Sequence, residues 1–204
     1  LSQKKELQFV DHSIKETLDG DKVVVEIFIR EGRKTFIERI NIVGNNVTNE
    51  EVIRGEMIVD EGDPFSELLL NKSINRLRAR NIFGKVEHKI FPGSEKDMSI
   101  IEIEVEEKPT GEIAAGAGVG TEGTSFNFFI SENNWLGRGV KLRGSLDVTE
   151  ESLRGGLDVT NPNYNYTGNE VSASFNSTKT DRLATSGYES TNTSASLGTS
   201  FEQY

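Results

Sequence analysis

The sequence predicts an α+β module with the order β-α-α-β-β, followed by about six strands of an antiparallel transmembrane β-barrel. Charged residues are dense up to residue 110, with 17 Lys and Arg and 22 Asp and Glu, whereas the remaining 94 residues hold only 6 and 11. Helical spacing of apolar residues occurs only in the first part, and strict alternation dominates from residue 111 onward. We therefore expect two different environments, with a boundary near 108–111.

The first 43 residues predict three strands. Val23, Val25 and Ile27 alternate with their neighbours after a turn at 18–21, which indicates a strand pair. A third strand over 36–43 precedes a turn at 44–46. Residues 1–34 are expected to be the end of a preceding unit.

Two helices are predicted next. Thr48 to Glu51 has the pattern of a capping box, and Ser66 is placed to cap a second helix. We expect this second helix to end at Gly84. The apolar residues with helical spacing are Val52, Ile53, Met57 and Ile58 in the first helix and Leu69, Leu70, Ile74 and Leu77 in the second.

Two further alternating segments complete the module. Val86, His88 and Ile90 alternate with charged residues, apolar residues recur at every second position in 101–105, and a turn at 92–94 lies between the two segments. The order β-α-α-β-β is thus contained in 35–109. We expect the two helices to cover one face of a three-stranded sheet.

The C-terminal part, 110–204, predicts six strands of about 8 to 13 residues. Leu142, Leu157 and Phe175 share one face, and the opposite face is mostly Ser, Thr, Asn and Gly. Alternation alone fits a soluble β-sandwich equally well. Because the outer face of a soluble sandwich is usually charged, and because the apolar face here is rich in Ala and Gly, a barrel wall in lipid is favoured. Trp135, Tyr164 and Tyr166 are predicted to form an interfacial aromatic girdle on one rim.

Composition and motifs exclude several functions. A net charge of −10 without a basic cluster argues against a nucleic-acid partner, and the absence of Cys excludes a disulfide scaffold or a thiolate nucleophile. Gly118-x-Gly120-x-x-Gly123 precedes a strand instead of a helix, so it is not a dinucleotide site. Glu102, Glu104 and Glu106 predict a solvated strand face. His88 predicts a structural side chain. We expect no enzyme, cofactor, metal or small-molecule substrate.

Sequence strings in both parts resemble one family. The segments 40–45 and 81–86, in this order of elements, resemble a POTRA module. The segments 118–122, 132–139 and 159–164 are similar to the opening strands and turns of the BamA family of outer-membrane-protein assembly factors. The resemblance implies POTRA modules in the periplasm, a 16-stranded barrel in the outer membrane of a Gram-negative bacterium, and unfolded outer-membrane proteins as clients. The chain is expected to be a fragment.

Three candidate surfaces follow. An extended client can add to a sheet edge through main-chain hydrogen bonds, and the predicted edge is Lys85, Val86, Glu87, His88, Lys89, Ile90 and Phe91. The family's docking of the lipoprotein BamD implies a role for Arg54 and Glu61. The family's lateral gate, where a weak seam would template client strands, implies a role for Ile113, Ala114, Ala115, Gly116, Ala117, Gly118, Val119 and Gly120.

Two alternatives stay open. The same architecture serves translocators for two-partner secretion and autotransporter assembly. A soluble β-sandwich binding protein joined to an α+β domain is the contrasting class.

Overall fold

The computed structural model describes residues 10–19, 22–31, 34–120 and 123–201. These residues form three sheets, which have two strands near the N-terminus, three strands in the middle of the chain and six strands in the C-terminal part. The predicted turn at 18–21 lies partly outside the described residues. Within the described part of the chain, none of the helices is long and apolar enough to cross a membrane.

The N-terminal strand pair is an antiparallel ribbon. Strands β1 (Val10–Asp19) and β2 (Lys22–Glu31) pair along their whole length, from Val10 opposite Glu31 to Asp19 opposite Lys22. Apolar side chains on both faces are exposed, including Ile27 and Phe28. The ribbon side chains that the structure describes, 13–18 and 22–29, are all exposed and so belong to no buried core.

The module has the predicted order. Strand β3 (Phe36–Val43) is followed by α1 (Glu50–Arg54), α2 (Glu67–Ala79), β4 (Phe83–Pro92) and β5 (Met98–Glu107). β5 lies in the centre, parallel to β3 and antiparallel to β4. Apolar residues of both helices and all three strands form one buried cluster, which confirms the predicted α+β fold.

The helix ends differ in detail from the prediction. Ser66 caps α2 as expected, because its Oγ accepts a hydrogen bond from the Leu69 N–H at 3.2 Å. The capping box at Thr48 is wrong: α1 begins after Asn49, which makes no side-chain cap bond, and it ends at Arg54, before Met57. The Thr48 hydroxyl instead accepts a hydrogen bond from Asn134.

The end of α2 is also corrected. The helix ends at Ala79, and Asn81 takes the left-handed conformation with φ 58°, which Asn tolerates better than most residues. Lys108 Nζ donates to the Asn81 Oδ1 at 2.6 Å. Gly84, predicted to end the helix, already belongs to β4.

The C-terminal part is a meander of six antiparallel strands, as predicted. The strands are β6 (Gly111–Gly120), β7 (Gly123–Trp135), β8 (Val140–Thr149), β9 (Ser152–Tyr164), β10 (Asn169–Arg182) and β11 (Tyr188–Phe201). A one-turn helix, α3 (Leu183–Ser186), stands in the connection before β11, where none was predicted. It leaves the pairing of β10 with β11 intact.

Burial separates the two parts. Among the described residues, every buried apolar side chain lies between Ile37 and Val105. In the meander, Leu157 lies opposite Phe175 on one face, and the two side chains are 48 % and 50 % exposed. A soluble sandwich would bury such residues in its core. The described sheet therefore has the apolar outer face of a barrel wall.

Candidate functional site

Strand β4 is an open edge of the module sheet. It pairs with β5 from Phe83 opposite Glu107 to Pro92 opposite Ser99, and its other side has no strand partner among the described residues. The predicted segment 85–91 thus lies on an edge. Lys89 Nζ lies 2.8 Å from Glu104 Oε2 and lowers the pKa of that carboxyl. Charged side chains of this kind keep an edge soluble. One main-chain acceptor of this edge, the Val86 carbonyl, accepts a hydrogen bond from Arg78 Nη2 at 2.8 Å.

The opposite edge, β3, is covered by its own chain. The Ile37 N–H donates to the Asp63 carbonyl at 2.9 Å, and the Gly62 N–H donates to the Ile37 carbonyl at 2.7 Å. Further along, the Ile40 N–H donates to Glu61 Oε1 at 3.0 Å, and Arg54 Nη2 donates to the Ile40 carbonyl at 2.9 Å. Among the described residues, more main-chain groups are therefore covered on the β3 edge than on the β4 edge.

Arg54 and Glu61, predicted for lipoprotein docking, are brought together by the fold. Arg54 Nη1 lies 3.5 Å from Glu61 Oε1, and Arg54 Nε lies 2.7 Å from Glu50 Oε1. The hydrogen bond with Glu50 raises the pKa of Arg54 although partial burial opposes this. The side chains of Arg54 and Glu61 remain 39 % and 41 % exposed. Both side chains form hydrogen bonds with the main chain of Ile40 on β3, and their docking role stays a prediction.

Strand β6, the predicted gate strand 113–120, is an edge of the six-stranded sheet. It pairs with β7 from Gly111 opposite Glu132 to Gly120 opposite Gly123, and all ten of its residues are exposed. Ala115 and Ala117 lie opposite Phe128 and Phe126, on the apolar face. A Cβ at Gly116 would overlap the Asn127 amide on the other face. The strand thus offers a flat edge with almost no side chain on its inner face.

The three predicted girdle residues do not share one environment. Tyr166 stands in the turn after β9 and faces the module: its hydroxyl donates to Glu51 Oε2 at 3.3 Å, and its ring lies against Gly55. Burial, together with the Glu51 carboxylate, raises the pKa of Tyr166. Tyr166 is therefore an interface residue. Trp135 and Tyr164 are about half exposed, and their girdle role stays a prediction.

The sequence did not predict the polar contact between module and sheet. Asn163, near the end of β9, donates from Nδ2 to the Gly55 carbonyl at 2.9 Å and to Glu56 Oε1 at 3.2 Å. Asn134, near the end of β7, is buried and donates to Thr48. Both asparagines lie in segments that resemble the BamA family, 132–139 and 159–164, and this resemblance was the feature of the sequence that could have pointed to them.

Arg80 lies at the centre of this interface. Its guanidinium lies 3.5 Å from Glu56 Oε1, and the two side chains are only 10 % and 12 % exposed. Burial lowers the pKa of Arg80 from its ordinary value, and the charge of Glu56 opposes that shift. A buried pair of this kind is costly to break, because the remaining charge has no partner.

Cavities flank the interface. One of 410 Å³ lies between Val52, Arg80 and Tyr164, and another of 420 Å³ lies between Val47, Pro109 and Trp135. A third of 560 Å³ extends from Met57 to Phe201. The module and the sheet thus meet through a few specific polar contacts instead of a continuous apolar core.

Comparisons with known proteins agree with this architecture. Residues 35–108 match the POTRA family model, described as surface antigen variable number repeat. Over 119 residues the chain is 30 % identical to the outer membrane protein assembly factor BamA of Nitratidesulfovibrio vulgaris, which covers 56 % of the chain and 15 % of that relative. It is 32 % identical over 136 residues to a putative outer membrane protein assembly factor of Treponema pallidum, covering 63 % and 16 %.

Solved structures show the same fold. BamA from Haemophilus ducreyi lacking POTRA domains 1-3 superposes with a TM-score of 0.74 at 24 % identity, covering 94 % of the chain and 38 % of that protein. CdiB from Acinetobacter baumannii gives 0.58 at 14 % identity, covering 97 % and 40 %. The chain spans only about a sixth of the two curated relatives named above. Residues 35–108 thus match the POTRA family, and the chain is similar to BamA assembly factors in sequence over part of its length and in fold over 94 % of it.

Proposed function

We propose that this protein takes part in the assembly of β-barrel proteins in the outer membrane of a Gram-negative bacterium. One observation carries the proposal: a POTRA module is followed directly by a barrel sheet whose first strand, β6, is a flat edge of Gly and Ala. The names of the relatives, which are outer membrane protein assembly factors, support it. The module lies in the periplasm, and the protein works without chemistry on its client.

The domain division is part of the proposal. Residues 1–34 are the end of a preceding POTRA module, 35–109 are the last module before the barrel, and 110–204 are the first barrel strands. The exposed apolar side chains of the β1–β2 ribbon support the first assignment, because an isolated two-stranded ribbon is marginally stable.

Two surfaces of the module receive partners in this proposal. An unfolded client adds as a strand to β4, because β4 has no strand partner on its outer side among the described residues, and it displaces Arg78 from the Val86 carbonyl. An assembly lipoprotein, similar to BamD, docks on the exposed faces of Arg54 and Glu61. Both partners come from the resemblance to the BamA family, and the open edge is the structural support for the first.

The barrel strand β6 then acts as the template. Its outer N–H and C=O groups need partners within the bilayer, where an unsatisfied backbone group costs several kcal/mol. Gly and Ala make few cross-strand contacts, so a seam with the closing strand of the barrel is weak. A client strand can therefore replace the closing strand at this edge.

Site-specific crosslinking in the complete protein tests the template. Ala117→Cys and Gly120→Cys are suited to it, because a side chain at 120 meets open space, whereas one at Gly116 would overlap Asn127. Both should crosslink to a cysteine in a client strand. Gly155→Cys is the matched control, since it also meets open space but lies in β9, which is paired on both sides. Equal crosslinking at all three positions would contradict the proposal.

The alternative is a related translocator for two-partner secretion or autotransporter assembly. The fold match to CdiB, at a TM-score of 0.58, is the observation that keeps it in view. The higher TM-score of the BamA structure favours the assembly role. Depletion of the protein in its host separates the two, because an assembly factor affects many outer-membrane proteins at once and a translocator affects one secreted substrate.

A further inference from the structure

Asn134 is one of the residues that join module and sheet. It lies near the end of β7, where the pairing with β8 is irregular between Glu132 and Trp135, and its side chain is buried. Its Nδ2 donates to Thr48 Oγ1 at 2.9 Å, and its Oδ1 accepts from the Gly139 N–H at 2.7 Å. Both ends of the amide are thus used, one toward the module and one within its own turn. A buried amide that loses such partners carries the full cost of its desolvation.

The turn is shaped to approach the module closely. The Gly137 carbonyl accepts from the Asn49 N–H at 2.9 Å, just before α1. Gly137 and Gly139 have φ values of +70° and +64°, and a Cβ at Gly137 would overlap the Val47 carbonyl oxygen. Glycine is therefore required at 137 both by its backbone conformation and by the close contact.

Arg80 holds the same turn from the other side. Its Nη2 donates to the Gly139 carbonyl at 2.8 Å, while Asn134 accepts from the Gly139 N–H. One peptide segment of the barrel turn is therefore fixed by two side chains, one from the turn itself and one from the end of α2. Glu56 neutralises Arg80 within the interface.

The module end of the contact is itself rigid. Glu107, the last residue of β5, accepts hydrogen bonds from the N–H groups of Asn46, Val47 and Thr48, at distances from 2.6 to 3.2 Å. Hydrogen bonds thus run without a break from β5 through Thr48 and Asn134 to Gly139 and Arg80. A path of this kind transmits orientation from one domain to the other.

We propose that Asn134 and Arg80 are positioning residues that set the angle at which the POTRA module meets the barrel, and that they match this barrel to its own module. Directional polar contacts define one geometry, whereas an apolar contact of the same size would tolerate sliding. The cavities of 410 and 420 Å³ beside the contact leave room for other angles once these bonds are lost. The inference concerns orientation and does not depend on which client the protein handles.

Distance measurements between spin labels test the proposal in the full-length protein in lipid nanodiscs. Labels at Lys96→Cys, at the exposed end of the module sheet, and Leu197→Cys, on the outer face of β11, report the angle; these 204 residues contain no native Cys. Asn134→Leu should shift and broaden the distance distribution, reducing the population at the native distance roughly tenfold or more. Asn71→Leu, at an exposed position of α2, is the control and should leave the distribution unchanged.

A double-mutant cycle tests whether the hydrogen bond between Thr48 and Asn134 sets the distance. Thr48→Val alone should broaden the distribution, but in the Asn134→Leu background it should add little, because the hydrogen bond is already gone. Asn134→Asp should also broaden the distribution, because a carboxylate has no proton to donate to the Thr48 hydroxyl and would stand beside the Glu132 carboxylate. Additive effects, or an unchanged distribution in Asn134→Leu, would overturn the role of Asn134.

Arg80→Met is the second, independent variant. It removes the bond to the Gly139 carbonyl without touching the turn, and it should shift the same distribution. Amide exchange in β5 shows whether the module remains folded in each variant. A folded Arg80→Met protein with the native distance would overturn the proposal for Arg80.

Discussion

Strand β5 of the module and the strands of the meander show the same alternation and opposite burial. Ile101, Ile103 and Val105 are at most 3 % exposed, because α1 and α2 cover their face of the sheet. Leu157 and Leu197 are 48 % and 88 % exposed on a face that the described residues leave bare. The period of two therefore predicts a strand, whereas the residue types on the polar face predict whether protein covers the apolar face.

The largest expected effect lies in the module core. Leu77 in α2 is fully buried, so Leu77→Ala leaves a cavity and should cost about 2–5 kcal/mol of module stability. Amide exchange of β5 in the complete protein measures this loss. Leu157→Ala is the matched control, because it opens no closed cavity and should leave β5 protection unchanged. Equal effects would mean that the two apolar faces share one core.

A charge on the two faces of the meander gives the next largest effect. Leu157→Arg should cost about 2–4 kcal/mol at the bilayer midplane, whereas Thr160→Arg, on the opposite face of β9, should cost much less. The measurement is the folding yield of the complete barrel in lipid vesicles as a function of urea. The same loss in both variants would favour a sandwich core over a lipid-facing wall.

Much of the fold could be predicted because its signals are local. The six meander strands follow from alternation, and the Ser66 cap follows from residue type and position. The capping box at Thr48 failed because its hydroxyl is used by Asn134, 86 residues away. The contact of Tyr166 with α1 was missed for the same reason. Contacts between distant segments depend on the packing of whole domains, which periodicity does not describe.

The loop before α1 should respond to pH. Burial raises the pKa of Glu107, but the hydrogen bonds from Thr48, Val47 and Asn46 outweigh it, and the net shift is downward. A carboxyl with a lowered pKa stabilises the folded state above its unfolded pKa of about 4.3, and this contribution is lost as pH falls through the folded value.

Glu107→Gln should therefore destabilise the loop by about 1 kcal/mol at neutral pH, because a neutral amide is the weaker acceptor. Amide exchange of Asn46 to Thr48 measures the difference, which should shrink only as the pH falls below about 4. Glu106→Gln is the control, as Glu106 is exposed on the same strand. A difference that persists unchanged at low pH would mean that the charge of Glu107 is not the cause.

The smallest expected effect is at Leu136, in the turn between β7 and β8. Leu136 has φ 54° and is 71 % exposed, so a leucine occupies a left-handed conformation without burying its side chain. Asn adopts this conformation at lower cost, and Leu136→Asn should stabilise the complete protein by up to about 1 kcal/mol if water surrounds the turn. If membrane or a partner covers Leu136, the lost apolar contact should outweigh this gain, and the substitution should destabilise the protein.

Urea denaturation in vesicles shows whether Leu136→Asn raises or lowers the stability. Leu136→Met is the control, because it keeps both the apolar contact and the backbone cost. A stabilised Leu136→Asn protein would show that the Leu136 side chain makes no favourable contact with membrane or a partner that offsets the strain of its left-handed backbone.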